Sequence, residues 1–147
     1  MTNIVSTIEI ARSPEDVFAY LDQLERHSEW SGSIISSTRD TPAPTQVGSR
    51  ATDLRKVPGG KQASTYEITE HDPPRKAAFK GINGPVRPIG TVTIEPAGDN
   101  RSKLTVDIDL QGHGFVGLIM APLARSQARK QIPRDQQRIK ERLESGT

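Results

Sequence analysis

The chain contains no cysteine. Disulfides, thiolate zinc sites and a cysteine nucleophile are therefore excluded. Aromatics make up only 4% of its 147 residues, with a single tryptophan, and the hydrophobic fraction is 33%. That is lean for a globular core, but the apolar residues are clustered with clear periods, which disordered chains lack. No window approaches the roughly 18 apolar residues of a membrane-spanning helix. The start, MTNIVSTIEIARS, lacks a basic region followed by a long apolar run, so no secretory signal is expected and a cytoplasmic location is. Twenty basic and 18 acidic residues leave a net charge of only +2, so nucleic acid is not expected as a partner. The length fits one domain over residues 1–147.

What is present reads first as a strand. Ile4, Ser6, Ile8 and Ile10 alternate with Val5, Thr7 and Glu9. Ser13-Pro14-Glu15-Asp16 then opens a helix: Ser13 caps, Pro14 suits the first turn, and the two carboxylates favour the positive end of the dipole. Val17, Phe18, Leu21 and Leu24 form its apolar side, and Glu25 to Trp30 makes a further short turn. Six more strands are expected at 33–39, 49–57, 62–70, 76–82, 89–95 and 103–110. Gly, Pro, Asn and Asp punctuate them, as in an antiparallel meander. In the last strand Leu104, Val106, Ile108 and Leu110 point one way and Lys103, Thr105, Asp107 and Asp109 the other.

The segment from His113 to Leu143 is the only one long enough for a long helix. Met120, Ala124, Ala128, Ile132, Gln136, Ile139 and Leu143 form its stripe. Pro133 predicts a kink, and Pro122 can mark the true first turn, leaving 113–121 as a mobile lead-in behind Gly112, Gly114 and Gly117. One face of the meander is polar, and this helix is the largest apolar surface left to cover the other.

Three stretches resemble a known family. STIEIARSPEDVFAYLDQLERHSEW is similar to the opening strand, capped helix and tryptophan of the START-like superfamily, in its polyketide cyclase/dehydrase and lipid-transport (SRPBCC) branch. YEITEHDPPRKAAFKG is similar to that family's strand, Asp-Pro-Pro-Arg turn and strand, and PRDQQRIKERLES to its closing helix. The resemblance implies the α+β helix-grip fold: a curved antiparallel sheet of about seven strands, with two short helices after the first, wrapped around a long C-terminal helix. It also implies an elongated cavity between sheet and helix, entered near the helix start and filled by lipids, polyketides, sterols or aromatic rings.

Candidate residues follow from strand alternation and the helix stripe. The cavity lining is expected from Leu54, Tyr66, Ile68, Val92, Val106, Ile108, Phe115, Ile119 and Leu123, with Ser36, Ser64 and Gln127 as polar anchors. Trp30 is read first as a plug between the helix pair and the second strand, and otherwise as a stacking wall for a ligand. Tyr66 and His113 are the candidate proton carriers, the first on a strand face and the second between two glycines. His27 and His71 read as surface residues, and Asp107 and Asp109 as a solvated pair. No two histidines have metal-ligand spacing, so neither a metal nor a cofactor is expected. The basic residues of the last helix read as a solvated face, or as a surface for RNA, ribosome or membrane.

The expected function is binding of a small apolar or amphipathic molecule for transport or sensing, by a monomer or homodimer. The alternative is a cyclase, dehydratase or hydrolase that orients an aromatic or polyketone substrate. RNA, ribosome or membrane interaction through the basic helix is the third.

Overall fold

A computed structural model describes residues 3–57 and 59–146. Pro58, expected in the turn after the third strand, lies outside the described residues. Seven strands run β1 (Ile4–Ile10), β2 (Ile34–Arg39), β3 (Arg50–Val57), β4 (Gly60–Asp72), β5 (Lys76–Gly81), β6 (Val86–Pro96) and β7 (Ser102–Gly112). Helix α1 (Pro14–Leu21) and a 3₁₀ turn (Leu24–Glu29) follow β1, and helix α2 (Gly114–Glu144) closes the chain. The sheet is antiparallel in the order β1-β7-β6-β5-β4-β3-β2. Only β1 departs from sequence order, pairing with β7 as Ile8↔Leu104 and Ile4↔Ile108. The sheet curls around α2 in the helix-grip arrangement.

Local chemistry accounts for most of the elements. The Asp16 amide donates to Ser13 Oγ at 3.2 Å, so Ser13 is the N-cap of α1. That helix buries Val17, Phe18 and Tyr20 against Ile10, Ile94, Leu104, Ile139 and Leu143. This cluster joins α1, α2, β1, β6 and β7 and is the main core. A smaller cluster of Leu24, Ala51, Tyr66 and Ile68 lies on the same face of the sheet, at β3 and β4.

Helix α2 packs on β1 and β7 and touches β6. Its second half is tied by polar contacts on both flanks. Gln136, almost fully buried, donates to the Ser6 carbonyl at 2.8 Å and accepts from the Ser6 hydroxyl at 2.6 Å. Asp135 accepts from Ser31 Oγ at 3.1 Å, the Gly32 amide at 3.0 Å and Gln131 Nε2 at 2.7 Å. Further along, Lys140 Nζ donates to the Glu9 carbonyl and Arg142 Nε to the Glu29 carbonyl.

Two details of α2 differ from expectation. The helix begins at Gly114 and continues through both prolines, so 114–121 is not a lead-in. Pro122 and Pro133 are both exposed. The carbonyls of Leu118 and Arg129, which their missing N–H groups leave unpaired, therefore lie on the solvent side and can be hydrated, so the helix persists. Gly112 and Gly117 also act as contacts rather than hinges. A Cβ on Gly117 would overlap the Pro85 carbonyl oxygen, and one on Gly112 the Gly117 backbone. Only glycine lets β7, the β5–β6 turn and α2 cross this closely.

Leu104 is fully buried, between Ile8 and Ile94 on the face that α2 covers. Leu104→Ala is expected to cost about 3 kcal/mol in urea unfolding, whereas Leu118→Ala, on the exposed side of α2, is expected to stay within about 0.5 kcal/mol. Equal shifts in the two variants would contradict this placement of the core.

Candidate functional site

Opposed residues of neighbouring strands share a face, so register decides what meets on the concave side. Ile68 stands opposite Phe79, Phe79 opposite Gly90 and Gly90 opposite Ile108. This links the face of Tyr66 to the face that α2 covers. On β3 and β4 the same face carries Tyr66 opposite Ala51, Ser64 opposite Asp53, and Gln62 opposite Arg55. On β2, Ser37 stands opposite Asp53. The concave face therefore has two characters. Val92, Val106, Ile108 and Phe79 are apolar and half-buried, while Asp53, Arg55, Ser37 and Ser64 make the far side polar.

The 3₁₀ turn packs on β2 and lowers His27 onto this polar side. His27 Nε2 lies 3.1 Å from the Leu21 carbonyl, and its Nδ1 lies 3.1 Å from the Tyr66 hydroxyl. A carbonyl only accepts, so Nε2 carries the hydrogen. In the neutral ring Nδ1 is then an acceptor, and Tyr66 donates to it. The rings are parallel to within 8° at 6.0 Å, with Trp30 tilted against His27 at 5.0 Å and Phe79 edge-on to Tyr66.

Burial holds the His27 imidazole below its ordinary range, opposed by the Asp53 carboxylate. Burial also lifts the Tyr66 phenol above its ordinary value, and Asp53 adds to that. Both groups are therefore neutral near pH 7. Asp53 is 2% exposed; it accepts from Ser37 Oγ at 2.7 Å and lies 3.6 Å from Arg55 Nη2. Trp30 has a buried indole N–H with no hydrogen-bond partner among the described residues. Such a group is a donor awaiting an acceptor.

The expected site residues divide into three groups. Tyr66, Ile68, Val92, Val106 and Ile108 lie on the concave face, and Trp30 packs beside them against the main core. Leu54 does not: it stands opposite Ala63 and Ser36, on the convex face with Ser36. Leu54 is the largest apolar side chain of β3 and on size alone is the inward candidate, but β3 turns Ala51, Asp53 and Arg55 inward. Phe115, Ile119, Leu123 and Gln127 are exposed and line no space beneath the helix. The first turns of α2 are apolar on nearly every side, so periodicity has no polar flank from which to choose the inward one.

The histidines are also redistributed. His113 is exposed at the N-terminus of α2, without a side-chain capping bond. Tyr66 finds His27 instead. His71 is not a surface residue either: its Nε2 lies 2.9 Å from Asp22 Oδ1 and its ring packs edge-on to Phe18 at 5.4 Å. A bulge between Ile68 and Glu70 inserts Thr69 and reverses the alternation, so His71 turns inward in place of Glu70. Asp107 and Asp109 meet Asn3 and Arg125 respectively. Among the described residues no three His, Asp or Glu side chains gather as a metal set, and no helix is long and apolar enough to cross a membrane.

Two shallow concavities of about 300 Å³ each lie away from this cluster. One is in the loop lined by Thr41 to Ser49, the other on the convex side among Thr69, Ala78, Lys80, Ile89 and Thr91. The polar cluster itself is closed over by the 3₁₀ turn, with Tyr66 8% exposed.

The model of the family described as "Polyketide cyclase / dehydrase and lipid transport" matches residues 1–144. An uncharacterized protein of Mycobacterium tuberculosis is 23% identical over 129 residues, which cover 86% of this chain and 88% of the relative. A START superfamily protein from Mycobacterium smegmatis superposes with a TM-score of 0.81 at 15% identity, covering 99% of each chain. The Zhui aromatase/cyclase from Streptomyces sp. R1128 does so with a TM-score of 0.78 at 14% identity, over 97% of this chain and 93% of that one. At these identities the structural likeness shows the fold alone.

Removing the His27 imidazole tests the electrostatics of the cluster. Its folded pKa lies below its ordinary value of 6.5, so the unfolded chain takes up the proton first as pH falls. The stabilisation is complete above about pH 6.5 and is lost as pH drops toward the folded value. Urea midpoints of the wild type between about pH 8 and pH 5 should therefore fall with acid, and His27→Gln should flatten that fall by up to one proton per molecule. An identical slope in the variant would contradict the buried neutral imidazole.

Proposed function

The chain belongs to the polyketide cyclase / dehydrase and lipid transport family, and from that premise we propose that it holds one small amphipathic molecule, for carriage or sensing. The molecule sits between the concave face and the front half of α2. The observation that carries this reading is the divided concave face: half-buried Val92, Val106, Ile108 and Phe79 on one side, and the Tyr66, His27, Asp53 and Arg55 cluster on the other. An apolar body lies on the first group and a polar end on the second. Ligand sites of this kind combine a mostly apolar wall with a few converging polar groups.

The inward side of the front half of α2 is built of small residues, which supports this reading. These include Gly117, Ala121, Ala124 and Ala128, and small side chains seal less of the space beneath a helix than large ones. Polar anchoring favours a ligand with an acceptor oxygen. The unpartnered Trp30 N–H and the Arg55 guanidinium are donors, and the Tyr66 hydroxyl becomes one toward the ligand if its oxygen displaces His27 Nδ1.

A second reading is supported by the Tyr66–His27 hydrogen bond: the pair is a proton carrier for a cyclase or dehydratase that orients a polyketone or aromatic substrate. The two readings separate by experiment. Native mass spectrometry of the purified protein is expected to find a copurified amphipathic molecule, and Tyr66→Phe to weaken its retention by about tenfold, the worth of one hydrogen bond. An empty protein whose Tyr66→Phe variant keeps substrate affinity but loses about 100-fold or more in turnover would replace carriage with catalysis.

A further inference from the structure

We propose that the front of α2 is a docking surface for an anionic lipid membrane. Five large apolar side chains stand exposed within nine residues: Phe115 at 79%, Val116 at 57%, Leu118 at 69%, Ile119 at 62% and Leu123 at 56%. At about 100° per residue they span an arc of about 160°. Gly117 and Ala121, on the opposite side, are the buried positions of these turns. The helix therefore projects an apolar face that is wet over nearly half its circumference. Isolated exposed leucines need no explanation, but a contiguous cluster marks an interaction site.

Charge identifies the occupant. From Gln111 to Arg134 the chain holds no Asp or Glu, while it carries Arg125, Arg129, Lys130 and Arg134. Arg125 lies 3.6 Å from Asp109 Oδ1. Arg129, Lys130 and Arg134 are exposed, directly after the apolar face on the same helix. An apolar insertion followed by cations matches the interior and the headgroups of an anionic bilayer in that order. A protein partner fits less well, because a standard interface engages about 20–30 residues a side, and here a single convex helix end is offered. The close crossing at Gly112, Gly117 and Pro85 holds this end firm, so it is presented as a preformed surface. The inference does not depend on what the concave face holds.

The test uses the full chain and flotation with vesicles of phosphatidylcholine, with and without phosphatidylglycerol. The protein is expected to float with the anionic vesicles and to be released by salt. The double substitution Phe115→Ser with Ile119→Ser should reduce flotation at least tenfold. Arg129→Gln and Lys130→Gln should each reduce it roughly fivefold. Val47→Ser, an exposed apolar side chain in the 41–49 loop, should leave it unchanged. All these positions are exposed, and unchanged unfolding midpoints verify that the variants fold. As an independent reading, Phe115→Trp should blue-shift in emission on adding anionic vesicles, after subtraction of the Trp30 signal. Absence of flotation, equal flotation with neutral vesicles, or no effect of the Phe115 and Ile119 substitutions would overturn the proposal. So would salt-dependent binding to RNA in place of vesicles, or a dimer in light scattering that the same double substitution dissociates.

Discussion

Asp135 and Gln136, adjacent on α2, reach to opposite flanks of the concave face. Gln136 holds the Ser6 carbonyl and hydroxyl of β1, and Asp135 holds Ser31 and Gly32 just beyond the 3₁₀ turn. Both side chains are buried and satisfied, and buried polar groups with all their partners position elements more exactly than apolar contacts do. A helix whose central stripe is alanine and glutamine has little apolar area with which to choose its place on the sheet. These two residues choose it, and the apolar cluster of Ile139 and Leu143 with Leu104 and Ile10 then completes the seal beyond them.

From that anchor the rest of the interior divides. Where α2 lies on β1 and β7, the space is filled by aliphatic side chains. Where it leaves β3, β4 and β5 uncovered, the 3₁₀ turn brings His27 down to Tyr66, and Asp53 and Arg55 remain inside without an apolar cover. Desolvation there keeps His27 and Tyr66 neutral, so the polar side is a hydrogen-bonding surface that carries the Asp53 carboxylate and the Arg55 and Arg39 guanidinium groups. The front of α2 carries the opposite imbalance, with apolar side chains outside where water is. A chain this short of aromatics leaves Phe115, one of its three phenylalanines, the most exposed of that helix's large apolar side chains.

Much of the scaffold was legible in the residues. The alternation of Leu104, Val106, Ile108 and Leu110, the Ser13-Pro14 cap and the Gly and Pro turns each encode a local geometry, and those elements stand where their patterns put them. The stripe of Ile132, Gln136, Ile139 and Leu143 also points inward. The candidate site was less legible. Tyr66, Ile68, Val92, Val106 and Ile108 share the face that alternation assigns them, yet Leu54 does not. In β3 the largest apolar residue, Leu54, faces outward with Arg50, Thr52 and Lys56, while Ala51, Asp53 and Arg55 face inward. His71 is displaced by one inserted residue, Thr69, which reverses parity without any mark in composition. His27 lies in a single turn too short for a periodic signal, and only the packing of that turn on β2 brings it to Tyr66. Asp53 gave a faint cue, since Ala51, Asp53 and Arg55 share a parity, but nothing local says which parity is buried.

By itself, then, the sequence determined the elements, their antiparallel order and the need for a closing helix, because backbone propensity, turn chemistry and hydrophobic period act over a few residues at a time. Only the tertiary structure decided which face of β3 is inward, which histidine meets Tyr66, and which apolar residues of α2 stay in water. Those outcomes depend on register, on a bulge and on two buried polar anchors, each of which joins residues far apart in the chain and leaves no local trace.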